Sequence, residues 1–298
     1  MATIDPKSVK TSQFHSYMLG AIAPRPIAFA STIDVNGQPN LSPYSFFNAF
    51  GSNPPIVVFS PARRVRDNSI KHTLENIRET MEVVINVVTF PMVHQMSLAS
   101  SEYPKGVNEF QKSGFTPIPS ESVKAPRVKE SPVQMECKVL QVIETGHEGG
   151  AGNLIVCEIL LMHIDDSVLD EQQKIDPQKL DLVARMGGDW YCRASGSALF
   201  EVPKPLSVPG IGVDRLPESV RLSRVLTGND LGQLGNIGQL PSEEEINMIL
   251  QRDFMKDLRS RFSFDRNTYE YKLHELAKAL IDKGDTATAL QVLMCSVR

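Results

Sequence analysis

Only four cysteines and one tryptophan occur in 298 residues, charge of neither sign dominates, and no apolar run is long. The longest apolar stretches, residues 83–88 and 154–164, are short and interrupted by Asn86 or Glu158. Both fall well below the ~18 residues of a membrane span, so no membrane partner is expected. Cys137, Cys157, Cys192 and Cys295 show no C-x-x-C spacing, which excludes a zinc-ribbon pattern. They read as small, mostly buried thiols of a cytoplasmic protein. Thirty-one basic residues against 35 acidic ones leave a net charge of −4. That excludes a broad electropositive nucleic-acid surface but leaves room for a local basic pocket. Residues 1–10 are polar and lack an apolar stretch flanked by positive charge, so no secretory signal is expected.

Standard catalytic signatures are missing too. There is no H-E-x-x-H, no nucleophile elbow and no P-loop. The six histidines show no recurring ligand spacing, so no metal is expected. The glycine-rich residues 146–152 lie between two strand-like runs, which makes them a hairpin loop rather than a dinucleotide loop. Gly232, Gly235 and Gly238 also fail the G-x-G-x-x-G spacing. A cofactor that carries the chemistry itself would explain this emptiness, since the protein then only binds, orients and tunes it.

The first two hundred residues have the punctuation of a β-protein. Residues 26–33 run extended into Asp34-Val35-Asn36-Gly37, and Asn-Gly supplies the positive φ of a tight hairpin. A return strand is expected over 38–44, then strands over 46–50 and 56–59 separated by Ser52-Asn53-Pro54-Pro55. A helix is expected over 69–80, capped by Asp67 or Asn68, with Ile70, Leu74 and Ile77 on one face. Residues 81–88 read as a buried strand, and 133–144 with 153–164 as a long hairpin. Short strands with few helices favour a closed or nearly closed barrel. Pro203, Pro205, Pro209 and two glycines mark a linker over 202–213, beyond which strand signals nearly vanish. Ser242 and Glu245 form a capping-box pattern opening a helix to about Phe262. Residues 271–283 and 286–297 read as a helix pair turned at Gly284 and capped by Asp285.

A flavin mononucleotide site needs donors and a cation for its phosphate, and an apolar slot with main-chain partners for its ring. The sequence reads A-P-R-P-I-A-F-A-S-T from Ala23, then N-L-S-P-Y-S-F-F-N-A-F-G-S-N-P-P from Asn40, then K-H-T-L-E-N-I from Lys71. Taken together these runs resemble the flavin reductase-like family with the FMN-binding split-barrel fold, over residues 14–200. The resemblance implies a mainly β fold with helices, a split barrel over residues 1–205; it does not extend to the tail, where the linker and helix signals give a helical C-terminal extension over 206–298.

By position, the resemblance places Ala30, Ser31 and Thr32 beside the ring and ribityl chain. Ser45, Phe46, Phe47 and Asn48 would wrap the ribityl-phosphate end. Ser60, Arg63 and Arg64 follow the next strand, where a phosphate could be neutralised. Lys71 and Thr73 match a Lys-x-Thr step at a helix start, where exposed N–H groups favour an anion. His72 stands where the family often has Asp. Met186-Gly187-Gly188-Asp189-Trp190-Tyr191 resembles a Gly-Gly-x-x-Tyr element that can approach the flavin of a neighbouring subunit. Trp190 or Tyr191 would border the site, or serve core or interface packing. Each residue also has a plainer reading: Ser31 and Thr32 as strand residues, Phe46, Phe47 and Phe50 as core, and Arg63, Arg64 and Arg66 as a solvated turn.

The resemblance therefore implies an FMN-dependent oxidoreductase, a homodimer that takes hydride from NADH or NADPH and passes it through FMN to a small-molecule acceptor or a partner. No side chain stands out as proton donor. The alternatives are a non-catalytic flavin- or haem-binding protein, and an interaction scaffold that recruits a protein partner through its helical tail.

Overall fold

The computed structural model describes residues 1–204 and 208–297; Pro205 of the expected linker lies outside the described residues. The chain divides into two compact units, residues 1–200 and residues 201–298.

The first unit opens with helix α1 (Thr11–Ala21) and the hairpin of β1 (Ala28–Ile33) and β2 (Pro39–Tyr44). Gly37 at φ +84° makes the turn, and Asp34 Oδ1 accepts from the Asn36 and Gln38 N–H groups at 2.9 and 2.8 Å. A second hairpin joins β3 (Phe47–Ser52) to β4 (Pro55–Phe59). Helix α2 (His72–Thr80) and β5 (Glu82–Asn86) follow. Next come the short elements α3 (Val93–Ala99), α4 (Glu109–Ser113), β6 (Pro117–Ile118) and β7 (Arg127–Val128). The long hairpin of β8 (Val133–Glu144) and β9 (Asn153–Ile164) has the limits expected from its alternation. The short helix α5 (Pro177–Leu180) leads into a last hairpin, β10 (Leu182–Arg185) and β11 (Tyr191–Ala194).

Seven strands form one antiparallel sheet in the order β2-β1-β5-β8-β9-β4-β3. Its two edge strands are consecutive in sequence, separated only by Ser45 and Phe46. A flat sheet would hold these edges about 29 Å apart at ~4.8 Å per strand. Three Cα steps reach only about 11 Å, so the sheet must roll into a barrel. Its interior is sealed by Phe59, Ile85, Cys137 and Ile155, with Leu74 and Ile77 of α2 packed on them. A second apolar cluster, including Phe29, Leu41, Met96 and Phe110, fills the space between β1, β2 and helices α3 and α4. Burial pushes the Cys157 thiol up to about 12 and raises that of Cys137 further, so both behave as small apolar groups.

The second unit is helical: α6 (Glu218–Arg221), α7 (Gly228–Gly235), α8 (Glu243–Leu250), α9 (Asp253–Phe262), α10 (Arg266–Ile281) and α11 (Thr286–Met294). It has its own core, with Leu234, Ile249, Met255, Leu273, Leu290 and Leu293 all essentially buried. Ala277 and Ala289 are fully buried where α10 and α11 pack closely. Among the described residues no helix is long and apolar enough to cross a membrane.

Three helix limits differ from the sequence expectation. Helix α2 starts at His72, not Ser69, because Asp67 Oδ1 accepts from Ser69 N and Asn68 takes φ +57°, forming a turn instead of a cap. The expected helix from Ser242 to Phe262 is two helices, broken at Gln251-Arg252. Ile249 and Met255 are six residues apart, about 240° around a continuous helix; the break lets both face the core. Helix α10 begins at Arg266, because Asp265 caps it by accepting from Asn267 N at 3.0 Å.

Candidate functional site

The segment after β4 gathers cations. Arg63, Arg64, Arg66 and Lys71 surround a cavity of about 300 Å³ that His15, Glu102 and Gly150 also line. Their positions are fixed locally. Arg63 Nε and Nη2 donate to Asn68 Oδ1 and O at 2.6 and 2.9 Å. Arg64 Nη1 donates to Ser69 Oγ and Ile70 O, both at 2.8 Å, and its Nε reaches Glu102 at 3.1 Å. Arg66 shares the same Glu102 carboxylate at 2.7 Å. Lys71 stands apart. It is half-buried at the start of α2, its ammonium makes no hydrogen bond or ion pair among the described residues, and burial holds that ammonium below the usual lysine range, with Arg64 adding repulsion. Beside it α2 begins: the Leu74 N–H donates to Lys71 O at 2.9 Å, while the His72 and Thr73 N–H groups have no partner within the helix.

The opposite wall is the loop between β8 and β9. Gly150 N donates to Arg63 O at 3.1 Å. A Cβ on Gly149 would stand 3.0 Å from Val65 O and 3.1 Å from Arg64 O, so only glycine lets the loop lie this close. Ser60, nearly buried, accepts from Asn153 N at 3.0 Å, and Asn153 Nδ2 donates to Pro61 O. Ser60 thus braces the loop from beneath. The Oδ1 of Asn153 is buried without a partner.

Arg63, Arg64 and Lys71 are thus brought together, with Ser60 behind them. Thr73 is buried, accepting from Tyr44 OH at 2.8 Å and donating to Asn40 Oδ1 at 2.7 Å, so its hydroxyl is fully used. Ala30, Ser31 and Thr32 are wholly buried. Ala30 faces the barrel core, Thr32 Oγ1 accepts from Asn76 at 3.1 Å, and Ser31 Oγ has no partner. Ser45 and Phe46 form the corner between the barrel edges, where Phe46 meets His15 of α1 edge-on at 6.0 Å. Phe47 packs partly on the barrel core, and Asn48 is exposed, its Oδ1 accepting from Ala49 N. Trp190 is 77% exposed in the turn between β10 and β11, and the Tyr191 ring lies under Arg185, with its Cζ 4.7 Å from the ring centroid. Neither lines the basic cavity.

Sequence reasoning missed Arg25, although it lies inside the A-P-R-P run. It is buried and has no carboxylate partner. Its guanidinium donates to Leu19 O at 2.6 Å, Met186 O at 2.8 Å and Ser45 Oγ at 3.4 Å, tying the end of α1, the last hairpin and the barrel corner together. Burial lowers its pKa, and Arg185 adds to that. His15, Glu102 and Gly149 were also missed, since nothing in their local sequence says that α1 and two distant loops meet at Arg64. Glu109 is a fifth case. It accepts from Asn40 Nδ2 at 2.9 Å and Leu41 N at 3.2 Å, and burial raises its carboxyl above the usual range despite these bonds.

Four cations and the two carboxylates near them, Asp67 and Glu102, leave positive charge uncompensated at this cavity. The arrangement is chemically suited to an anion such as a phosphate monoester. Among the described residues no group of three His, Cys, Asp or Glu could hold a metal ion.

Residues 19–180 match the family model described as flavin reductase like domain. An uncharacterized protein of Aquifex aeolicus is 36% identical over 196 residues, covering 66% of this chain and 97% of its own length. Two crystal structures are similar at 27% identity. Nitrilotriacetate monooxygenase component B from Bacillus cereus covers 68% of this chain and 98% of its own, with a TM-score of 0.63. The 2-nitrobenzoate 2-nitroreductase NbaA of Pseudomonas fluorescens covers 71% and 100%, with a TM-score of 0.61. The family model stops at residue 180, before the helical unit begins.

Proposed function

The chain belongs to the flavin reductase-like domain family, and from that premise we propose that it is an FMN-dependent oxidoreductase that takes hydride from NADH or NADPH. The observation that carries this reading is Lys71, a half-buried ammonium at the N-terminus of α2 with no carboxylate within ion-pair distance among the described residues. A phosphate monoester there would supply the missing negative charge. Lys71, Arg64 and the first-turn N–H groups of α2 would hold it, while the loop at Gly149 closes the far wall. The Ser45–Asn48 corner, with Phe46 and His15, would then flank the ribityl and ring portions. Bound flavin supplies the hydride acceptor, and the chain's own residues position it and shape its surroundings. The two similar structures, named for a monooxygenase component and a nitroreductase, support redox chemistry of this kind.

A homodimer belongs to the same proposal. Strands β8 and β9 leave Leu140, Ile143, Leu160, Met162 and Ile164 exposed on the barrel, and Phe50 of β3 is 69% exposed. A second copy covering these side chains would remove a large apolar area from water. The first experiment is an absorption spectrum of the purified protein, followed by anaerobic addition of NADH or NADPH. Flavin bands that bleach with one nicotinamide are expected. A colourless protein that takes up no added FMN would overturn the reading.

A further inference from the structure

A second cavity, of about 480 Å³, lies between α3 and the β10–β11 hairpin. One wall is Val93, His94 and Ser97 from α3, and the facing wall is Val183, Arg185 and Tyr191. The floor is therefore apolar, while the His94 ring nitrogens, the Ser97 hydroxyl and the Arg185 guanidinium supply polar atoms around it.

The two guanidiniums in this cavity are in different states. Arg193 is neutralised: its Nε and Nη2 donate to the two carboxylate oxygens of Asp181, both at 2.7 Å, and it stacks on Phe90 with Cζ 3.9 Å from the ring centroid. Arg185 has no carboxylate within ion-pair distance among the described residues. Asp189, at the exposed turn, lines the cavity without pairing to it. The backbone of Arg185 is fixed on both sides, by its pairing with Tyr191 and by exchanging N–H···O bonds of 2.8 and 2.9 Å with Arg25. Its side chain rests on the Tyr191 ring. Close by, Arg25 is a second cation without a carboxylate, and its repulsion raises the local positive potential further.

We propose that this cleft is a binding site for a small planar carboxylate, an aromatic monoacid such as benzoate. The ring would lie between Val93, Val183 and Tyr191, and its carboxylate would meet the Arg185 fork, with Ser97 or His94 as an added donor. One free guanidinium above an apolar floor suits a monoanion with an apolar body better than a phosphate, which calls for more donors. The site shares no lining residue with the basic cavity around Lys71, so it does not depend on the flavin reading.

Trp190, the only tryptophan in the chain, directly precedes Tyr191 and provides a built-in reporter. Benzoate, benzyl alcohol and benzamide would be titrated separately into the full-length protein, with and without added FMN, following Trp190 fluorescence and heat. Benzoate is expected to bind at least about tenfold more tightly than either neutral analogue. Arg185→Met should erase that preference, while Arg261→Met, on the helical unit and outside both cavities, should keep it. Equal binding of charged and neutral ligands would overturn the proposal, as would absence of benzoate binding at millimolar concentration. Competition between benzoate and FMN would also overturn it, because the cleft would then be part of the cofactor site. The ligand series on the unmodified protein decides the matter even if Arg185→Met fails to fold.

Discussion

The barrel and the helical unit bury their polar groups in very different measure. Among the described residues, fifteen buried polar or charged side chains belong to residues 1–200 and only Asp230 and His274 to the helical unit. In the barrel these groups hold irregular segments in place: Asn153 grips Pro61, Glu136 accepts from Glu121 N and Ser122 N, and Arg25 gathers three separate carbonyls. In the helical unit the helices satisfy most of their own backbone groups, and the buried side chains are almost all apolar. Fixing loops costs desolvation, and a fold tolerates that where loops must present a shaped surface. This agrees with the proposal that the ligand site lies in the barrel.

The largest expected effect tests what the two units have in common. Phe59→Ala should destabilise the barrel by about 3–5 kcal/mol and Leu290→Ala the helical unit by about 2–5 kcal/mol, because both side chains are fully buried. Chemical denaturation monitored by circular dichroism measures both, and a change below about 1 kcal/mol in either would mean that the side chain does not pack in the core of its unit. The next contrast is confined to the barrel. Lys71→Met should weaken FMN binding by roughly 10- to 100-fold, the worth of a charge-assisted hydrogen bond. It should leave stability unchanged or raised, since it removes an uncompensated cation. Thr73→Val should do the reverse, costing about 1–3 kcal/mol of stability by stranding Tyr44 OH and Asn40. Its hydroxyl faces inward, so FMN affinity should barely change. Equal losses of FMN affinity in the two variants would erase the distinction between cavity wall and buried brace.

The strands of the barrel were legible because alternation along β8 and the Asn-Gly turn after β1 are local signals. Closure itself was expected from the many short strands and from the resemblance, but which strands become the edges was not, because Ser45-Phe46 reads as part of a run in isolation. The cation cluster could be read from Arg63, Arg64 and Lys71 alone, but not their different states. The nearby Glu102, some thirty residues on, pairs with Arg64 and Arg66 and leaves Lys71 without a direct ion pair among the described residues. The resemblance placed Ala30, Ser31 and Thr32 beside the ring; that all three are wholly buried could not be read locally, because it depends on the helices and loops that cover each face of the strand. Arg25 was invisible as a brace because its acceptors are backbone carbonyls as far away as Met186. The helix pair α10–α11 was readable from Gly284 and Asp285, while the break before α9 depends on where the core lies.

The smallest expected effect separates the units by the sign of their pH dependence. Burial raises the carboxyl of Glu109 in the barrel. For Asp230 in the helical unit burial acts in the same direction, but hydrogen bonds from Thr227 and the Lys278 ammonium at 3.1 Å outweigh it and leave its pKa lowered. A carboxyl with a raised folded pKa contributes stability that is fully present below its unfolded value, about 4.3, and is lost as pH rises through the folded value. One with a lowered folded pKa contributes stability present above its unfolded value, about 3.9, and lost as pH falls through the folded value. Relative to Glu109→Gln, the unmodified chain should therefore lose ground as pH rises from 4 towards neutrality, roughly the span above the free carboxyl value. Relative to Asp230→Asn, it should lose ground on going below about pH 4. Urea denaturation across this range reads both differences directly. Matching slopes for the two variants would show that Glu109 is ionised as easily as Asp230, and that the barrel's buried carboxylate is better compensated than its surroundings indicate.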